Sequence, residues 1–151
     1  MKKTLTFDVA IAAPRHRVWE TMLGADTYRE WTAPFCEGTY YEGSWDAGSK
    51  IHFLAPNGDG MVAEIAENRQ HEFVSIRHLG EVKGGVEDTT SAAVQTWAPA
   101  HENFSFADSS EGTTVTVELE ILPDFEAYMR ATYPKALEVL KKLCEADRAD
   151  S

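Results

Sequence analysis

Five histidines (His16, His52, His71, His78, His101) and two cysteines (Cys36, Cys144) are the side chains of this 151-residue chain best equipped for chemistry. Their spacing speaks first against a local metal centre. No histidine pair forms H-x-x-x-H or H-E-x-x-H, and neither cysteine has a second ligand nearby in sequence. His71-Glu72 and His101-Glu102 are adjacent pairs in strand-like segments, where neighbours point to opposite faces and cannot share one ion. A metal would need distant histidines to meet in the fold, so the expectation is no metal and no cofactor. Gly58-Asp59-Gly60-Met61-Val62-Ala63 fits the dinucleotide pattern G-x-G-x-x-A, which works by seating pyrophosphate on a helix that follows a strand. Here the glycines lie between two strand patterns, and a hairpin turn is expected instead. There is no G-x-S-x-G elbow and no cysteine beside a histidine, which counts against covalent catalysis.

Acid–base chemistry needs a titratable group in a dry pocket. His52 and His78 both sit among apolar strand neighbours. In 71–79, Val74, Ile76 and His78 share the more uniformly apolar face, opposite Phe73, Ser75, Arg77 and Leu79, so either a hydrogen-bonded pocket histidine or a general base is open for His78. The aromatics, 11% of the chain, are the stronger clue. Small-molecule pockets favour aromatic walls with a few polar groups that fix orientation. Trp97, between a polar loop and Pro99, and Trp31 with Phe35 are candidates for a pocket mouth, and Met61 and Met129 for adaptable lining.

The elements that must position these groups alternate between two periods. Leu5, Phe7, Val9 and Ile11 share one face of a strand over 4–11. Pro14 opens a helix over 15–23 that Gly24 stops, and Asp26 is expected to cap a second short helix ended by Ala33-Pro34. Strands are predicted over 38–42, 49–55, 60–67, 71–79, 101–107 and 113–121, joined by short Gly-, Asn- and Asp-containing turns that imply antiparallel hairpins. Residues 80–100 read as a long loop with a short strand near 92–97. A helix is predicted from 123 to about 146, with Phe125, Met129, Thr132, Ala136, Leu140 and Leu143 as its apolar stripe. Pro134 inside it predicts a kink or brief break near Thr132-Tyr133. The sum is an α+β fold in which a curved antiparallel sheet lays its apolar face on one long terminal helix, a geometry that leaves a cavity where it does not close.

Size and composition bound the function. The length suits a single domain over 1–151, with 43% hydrophobic residues to build a core. Fourteen Lys and Arg against 25 Asp and Glu give a net charge of −11, which repels phosphate backbones and anionic headgroups. No nucleic acid and no membrane insertion are expected. The N-terminus carries no apolar signal pattern, and two separated cysteines suit reduced thiols, so a cytoplasmic location is expected.

Several segments resemble one family. Ala13-Pro14…Val18-Trp19…Tyr28-Arg29-Glu30-Trp31-Thr32 resembles the opening of the START-like, or SRPBCC, superfamily. Glu42-Gly43-Ser44-Trp45…Gly48-Ser49-Lys50-Ile51 resembles the second hairpin of its Hsp90-ATPase-activator-like branch, and Tyr133-Pro134-Lys135-Ala136-Leu137-Glu138-Val139-Leu140 its closing helix. The resemblance implies a helix-grip (START-like, Bet v 1-like) fold whose cavity takes lipids, hormones or polyketides in relatives. With the aromatic pattern, it gives as ligand-facing residues Trp31, Phe35, Phe53 and Met61 from the first half of the chain. From the second half it gives His78, Trp97, Met129 and Tyr133, with His78 and the Tyr133 hydroxyl offering hydrogen bonds. A carrier of a small apolar or aromatic ligand is the first reading. A chaperone-linked, stress-related interaction module of the Hsp90-activator type is the second, and a cyclase or hydrolase using a pocket histidine as base is the third. A homodimer is left open.

Overall fold

The computed structural model describes residues 2–148. Strand β1 (Lys3–Ile11) leads into α1 (Arg15–Leu23) and α2 (Ala25–Trp31). The strands β2 (Tyr40–Gly43), β3 (Lys50–Leu54), β4 (Gly60–Arg69), β5 (Phe73–Lys83) and β6 (Val86–Asp88) follow. After a short helix α3 (Ala92–Gln95) come β7 (Ala100–Ser109) and β8 (Gly112–Ile121). A 3-10 turn (Pro123–Phe125) then opens the long helix α4 (Glu126–Arg148). The strands form one sheet in the order β1-β8-β7-β5-β4-β3-β2, with β6 paired to β5, and these pairings are all antiparallel.

Period-2 burial sets which face turns inward. Leu5 and Phe7 on β1, Val115 and Val117 on β8, and Phe104 and Phe106 on β7 point into one core. There they meet Tyr133, Ala136, Leu137, Leu140 and Cys144 of α4 and Val18 and Met22 of α1. Two register shifts in the β4–β5 pair, at Val62/Ala63 and Ile65/Glu67, mark irregularities of the kind that bend a sheet and strengthen its twist. The bend lets the far strands curl over α4. It also turns Leu54, Val62 and Val82 outward into a second small cluster with Tyr40.

Five local expectations are corrected. Gly24, not Asp26, precedes α2: its carbonyl accepts from Tyr28 N at 2.8 Å, which leaves Asp26 inside the first turn, where an anion suits the helix dipole. The segment after residue 79 is not a long loop. Gly84 and Gly85 take φ of 58° and 80°, as a two-residue hairpin turn of the right-handed-twist type requires, so β5 runs on to Lys83 and returns as β6. Residues 92–95 are helical rather than extended, because the Ser91 hydroxyl caps Val94 N at 3.2 Å. Helix α4 continues without a break through Pro134, whose ring lies on the exposed side while Tyr133, Ala136 and Leu137 on the other side are locked into the core. Phe125, expected in the apolar stripe, falls in the 3-10 turn and is 52% exposed.

Candidate functional site

The bent sheet and α4 enclose a cavity of about 580 Å³. All eight residues expected to face a ligand lie on its wall. Trp31 closes its inner end. The residue is 2% exposed, its indole Nε1–H donates to Met22 O at 2.9 Å, and its ring meets Phe104 edge-on at 6.2 Å. Phe35, in the loop after α2, packs edge-on against Tyr133 at 5.0 Å. Phe53 and Met61 are register partners across β3 and β4, and Phe53 lies 5.7 Å from the His78 ring. Met129 and Tyr133 stand one turn apart on α4. Trp97 is half-buried, and Phe125, also on the wall, is exposed.

Glu102 is the centre of a hydrogen-bonded group on the wall. Alternation along β7 turns Ala100, Glu102 and Phe104 inward and His101 outward. Tyr133 Oη donates a short hydrogen bond to Glu102 Oε2, and His78 Nε2 lies 3.0 Å from Glu102 Oε1. A carboxylate only accepts, so His78 Nε2 is the donor in this contact, and Nδ1 is a buried atom without a partner. Desolvation, the Glu102 charge and the hydrogen bond to it push the Tyr133 phenol well above its ordinary 10.0. Desolvation first, then the charge of Glu102, likewise raises Tyr28. Tyr28 lines the cavity, and its hydroxyl has no hydrogen-bond partner among the described residues.

The second strand histidine goes elsewhere. His52 Nε2 meets Glu87 Oε2 at 2.7 Å outside the cavity, beside Lys50 Nζ at 3.1 Å from the same oxygen. Those contacts hold Glu87 below the usual carboxylate range and clasp β6 to β3. Gly58-Asp59-Gly60 forms the β3–β4 hairpin turn, with Gly58 at φ 87° and Gly58 N on Ala55 O at 2.8 Å. Among the described residues, no three His, Cys, Asp or Glu side chains cluster as a metal site would. Among the described residues no helix is long and apolar enough to cross a membrane.

Sequence reasoning missed Glu102, Tyr28, Trp45 and Glu81 on the cavity wall. For Glu102 the signal was present, since the inward phase of β7 is fixed by Phe104 and Phe106. Tyr28 was legible only as part of a motif, because α2 is too short for its period to show which side faces in.

No protein-family model matches the chain. Solved structures resemble it over nearly its full length. Protein MLL2253 from Mesorhizobium loti superposes with a TM-score of 0.73 at 18% identity, covering 99% of this chain and 100% of that one. The Aha1 dimer from Colwellia psychrerythraea gives 0.72 at 16% identity, covering 95% and 96%. DynU16, a protein from the dynemicin biosynthetic locus, gives 0.71 at 16% identity over 94% of this chain and 47% of that protein. In sequence, gingipain R1 from Porphyromonas gingivalis is 28% identical over 144 residues, which is 91% of this chain but 13% of that protein. At these identities the structural likenesses establish architecture alone. The chain has the helix-grip fold, an antiparallel curved sheet closed over a long C-terminal helix.

Proposed function

We propose that the chain binds a small, largely apolar or aromatic ligand in the cavity between its sheet and α4. One observation carries this: about 580 Å³ of space is walled largely by aromatic and aliphatic side chains, with a hydrogen-bonded polar group of His78, Glu102 and Tyr133 on the wall. That is the composition of a small-molecule site, in which apolar walls supply binding and a few polar groups fix orientation. Trp31, Phe35, Phe53, Met61, Trp97 and Met129 give shape and dispersion, and His78 and Tyr133 give the polar end. The test is Nile red binding with native mass spectrometry of protein taken from its own host. Enhanced, blue-shifted dye emission that a Met129→Trp variant loses supports the reading. A wild-type protein that takes up neither dye nor co-purified ligand overturns it.

One observation favours an enzyme as second reading. Glu102 orients the His78 ring through Nε2 and leaves Nδ1 without a partner, as orienting carboxylates do for imidazole bases, so a cyclase or hydrolase acting on an aromatic or polyketide-like substrate would use His78 as its base. The likeness to the Aha1 dimer and the exposed Phe125 and Tyr128 support, less directly, a chaperone-linked module or a homodimer. An unchanged Hsp90 ATPase rate on addition of the protein removes the chaperone branch.

A further inference from the structure

We propose that the ligand is an organic amine: a cationic nitrogen on an apolar or aromatic body, bound with its charge at Glu102. This rests on the cavity reading above and adds the chemistry of the ligand's head.

The charges on the wall are unequal in sign. Four carboxylates line the cavity, Asp59, Glu81, Glu102 and Glu120, against one lysine, Lys83, which is exposed, and the imidazole of His78. Two of the four are already occupied. Asp59 accepts from Gly84 N at 3.0 Å, and Glu120 accepts from His101 N at 2.8 Å and its ring Nδ1 at 3.0 Å. Neither of the other two accepts a backbone N–H among the described residues. The Glu81 carboxylate makes no hydrogen bond or ion pair among them, and the Glu102 carboxylate accepts one hydrogen bond on each oxygen, from a phenol and an imidazole, keeps a further lone pair on each, and has no Lys or Arg within ion-pair distance. A carboxylate withdrawn from water without a permanent cation beside it is costly, and a ligand cation removes that cost.

The rings around it fit the same charge. Tyr28, Trp31, Phe35, Phe53, Phe104 and Tyr133 all line the space that Glu102 enters. A cation near aromatic faces gains from their negative potential, and gains most where water is excluded. The unpartnered Tyr28 oxygen is an acceptor for one N–H of an ammonium, and the Glu102 oxygens accept others. A ligand carboxylate would meet four like charges and one exposed lysine. An alcohol would use the acceptors and forgo the charge.

Calorimetric titration with three probes of one body, naphthylmethylamine, naphthylmethanol and naphthoate, decides the matter. The amine is expected to bind about tenfold or more tighter than the alcohol, and naphthoate weakest. Glu102→Gln removes the amine's advantage while the alcohol still binds, and Glu81→Gln reduces it. If Glu102→Gln does not fold, the wild-type order together with Glu81→Gln carries the test. Equal binding of all three probes, or naphthoate binding best, overturns the amine inference and leaves the cavity reading standing. Failure of all three while Nile red binds does the same. Failure of Nile red as well removes both.

Discussion

His78 and Tyr133 reach the same carboxylate from opposite walls of the cavity, His78 from β5 to Glu102 Oε1 at 3.0 Å and Tyr133 from α4 to Glu102 Oε2. Among the described residues the carboxylate is thereby the polar tie between the sheet and the long helix inside the space between them. A hydrogen bond to a charged group is worth about 1.5–3 kcal/mol, and leaving its buried partner short of a donor costs in the same range. Tyr133→Phe keeps the ring against Phe7 at 5.1 Å and Phe35 at 5.0 Å and deletes only that donor. Urea denaturation should show a loss of about 2 kcal/mol. Tyr128→Phe, which removes a bond from a half-exposed phenol to Phe35 O, should cost well under half as much. Equal losses in the two variants would remove Glu102 from its place as tie.

The same phenols predict an alkaline limit. Burial and the Glu102 charge hold Tyr133 and Tyr28 protonated well above 10.0 in the folded state. The unfolded chain releases those protons near the ordinary value, so above it the folded state binds more protons than the unfolded one. Stability therefore falls as pH rises through that value. Phenolate absorbance should show Tyr28 and Tyr133 titrating only as the protein unfolds, and Tyr133→Phe should flatten the fall. Full ionisation of all five tyrosines in a still-folded protein would contradict this.

How far the sequence carries the structure depends on where the information sits. Alternation in 71–79 placed His78 on the inward face because Val74 and Ile76 share its phase, and burial follows that phase. The same logic left His52 undecided: β3 has five residues, and its outward side carries the buried Leu54 of the second cluster, so both faces look apolar. The β5–β6 hairpin was hidden because Gly84-Gly85 reads as loop until both residues are known to have positive φ. The convergence of Glu102, His78 and Tyr133 was beyond reach, since it depends on the register of β5 with β7 and on the rotation of α4. No local pattern encodes either. That the resemblance and the aromatics nonetheless gave eight wall residues reflects a simple constraint: in this architecture the inward face of every strand ends either in the core or on the cavity.

Two glycines of the β3–β4 hairpin separate steric from conformational demands. A Cβ on Gly60 would lie 1.9 Å from Phe53 O and 2.9 Å from Leu54 Cα, so backbone must move and the pairing that carries Phe53 and Met61 is displaced. Gly60→Ala should cost about 3 kcal/mol and weaken Nile red uptake. Gly58, two residues earlier, has open space around its Cβ and φ 87°, so Gly58→Ala should cost about 1–2 kcal/mol from the left-handed backbone alone and leave dye binding intact. Denaturation curves for both variants check the order. A reversed order would mean the hairpin yields more easily than its packing implies.

The two thiols report ligand binding without any assumption about the ligand's chemistry. Cys36 is exposed in the loop after α2, and Cys144 is buried on α4 against the core. A thiol reagent should label Cys36 at once and Cys144 only through opening of the unit that α4 closes. A ligand that binds the folded state alone lowers the open population in proportion to its saturation, by about 2.7 kcal/mol at a hundred times its Kd. Under conditions where reclosing outruns labelling, the Cys144 rate should then drop by about a hundredfold. Nile red at saturating concentration should produce that slowing, and the Met129→Trp variant should lose it. A Cys144 rate indifferent to a dye that binds would place the dye outside the space between the sheet and α4.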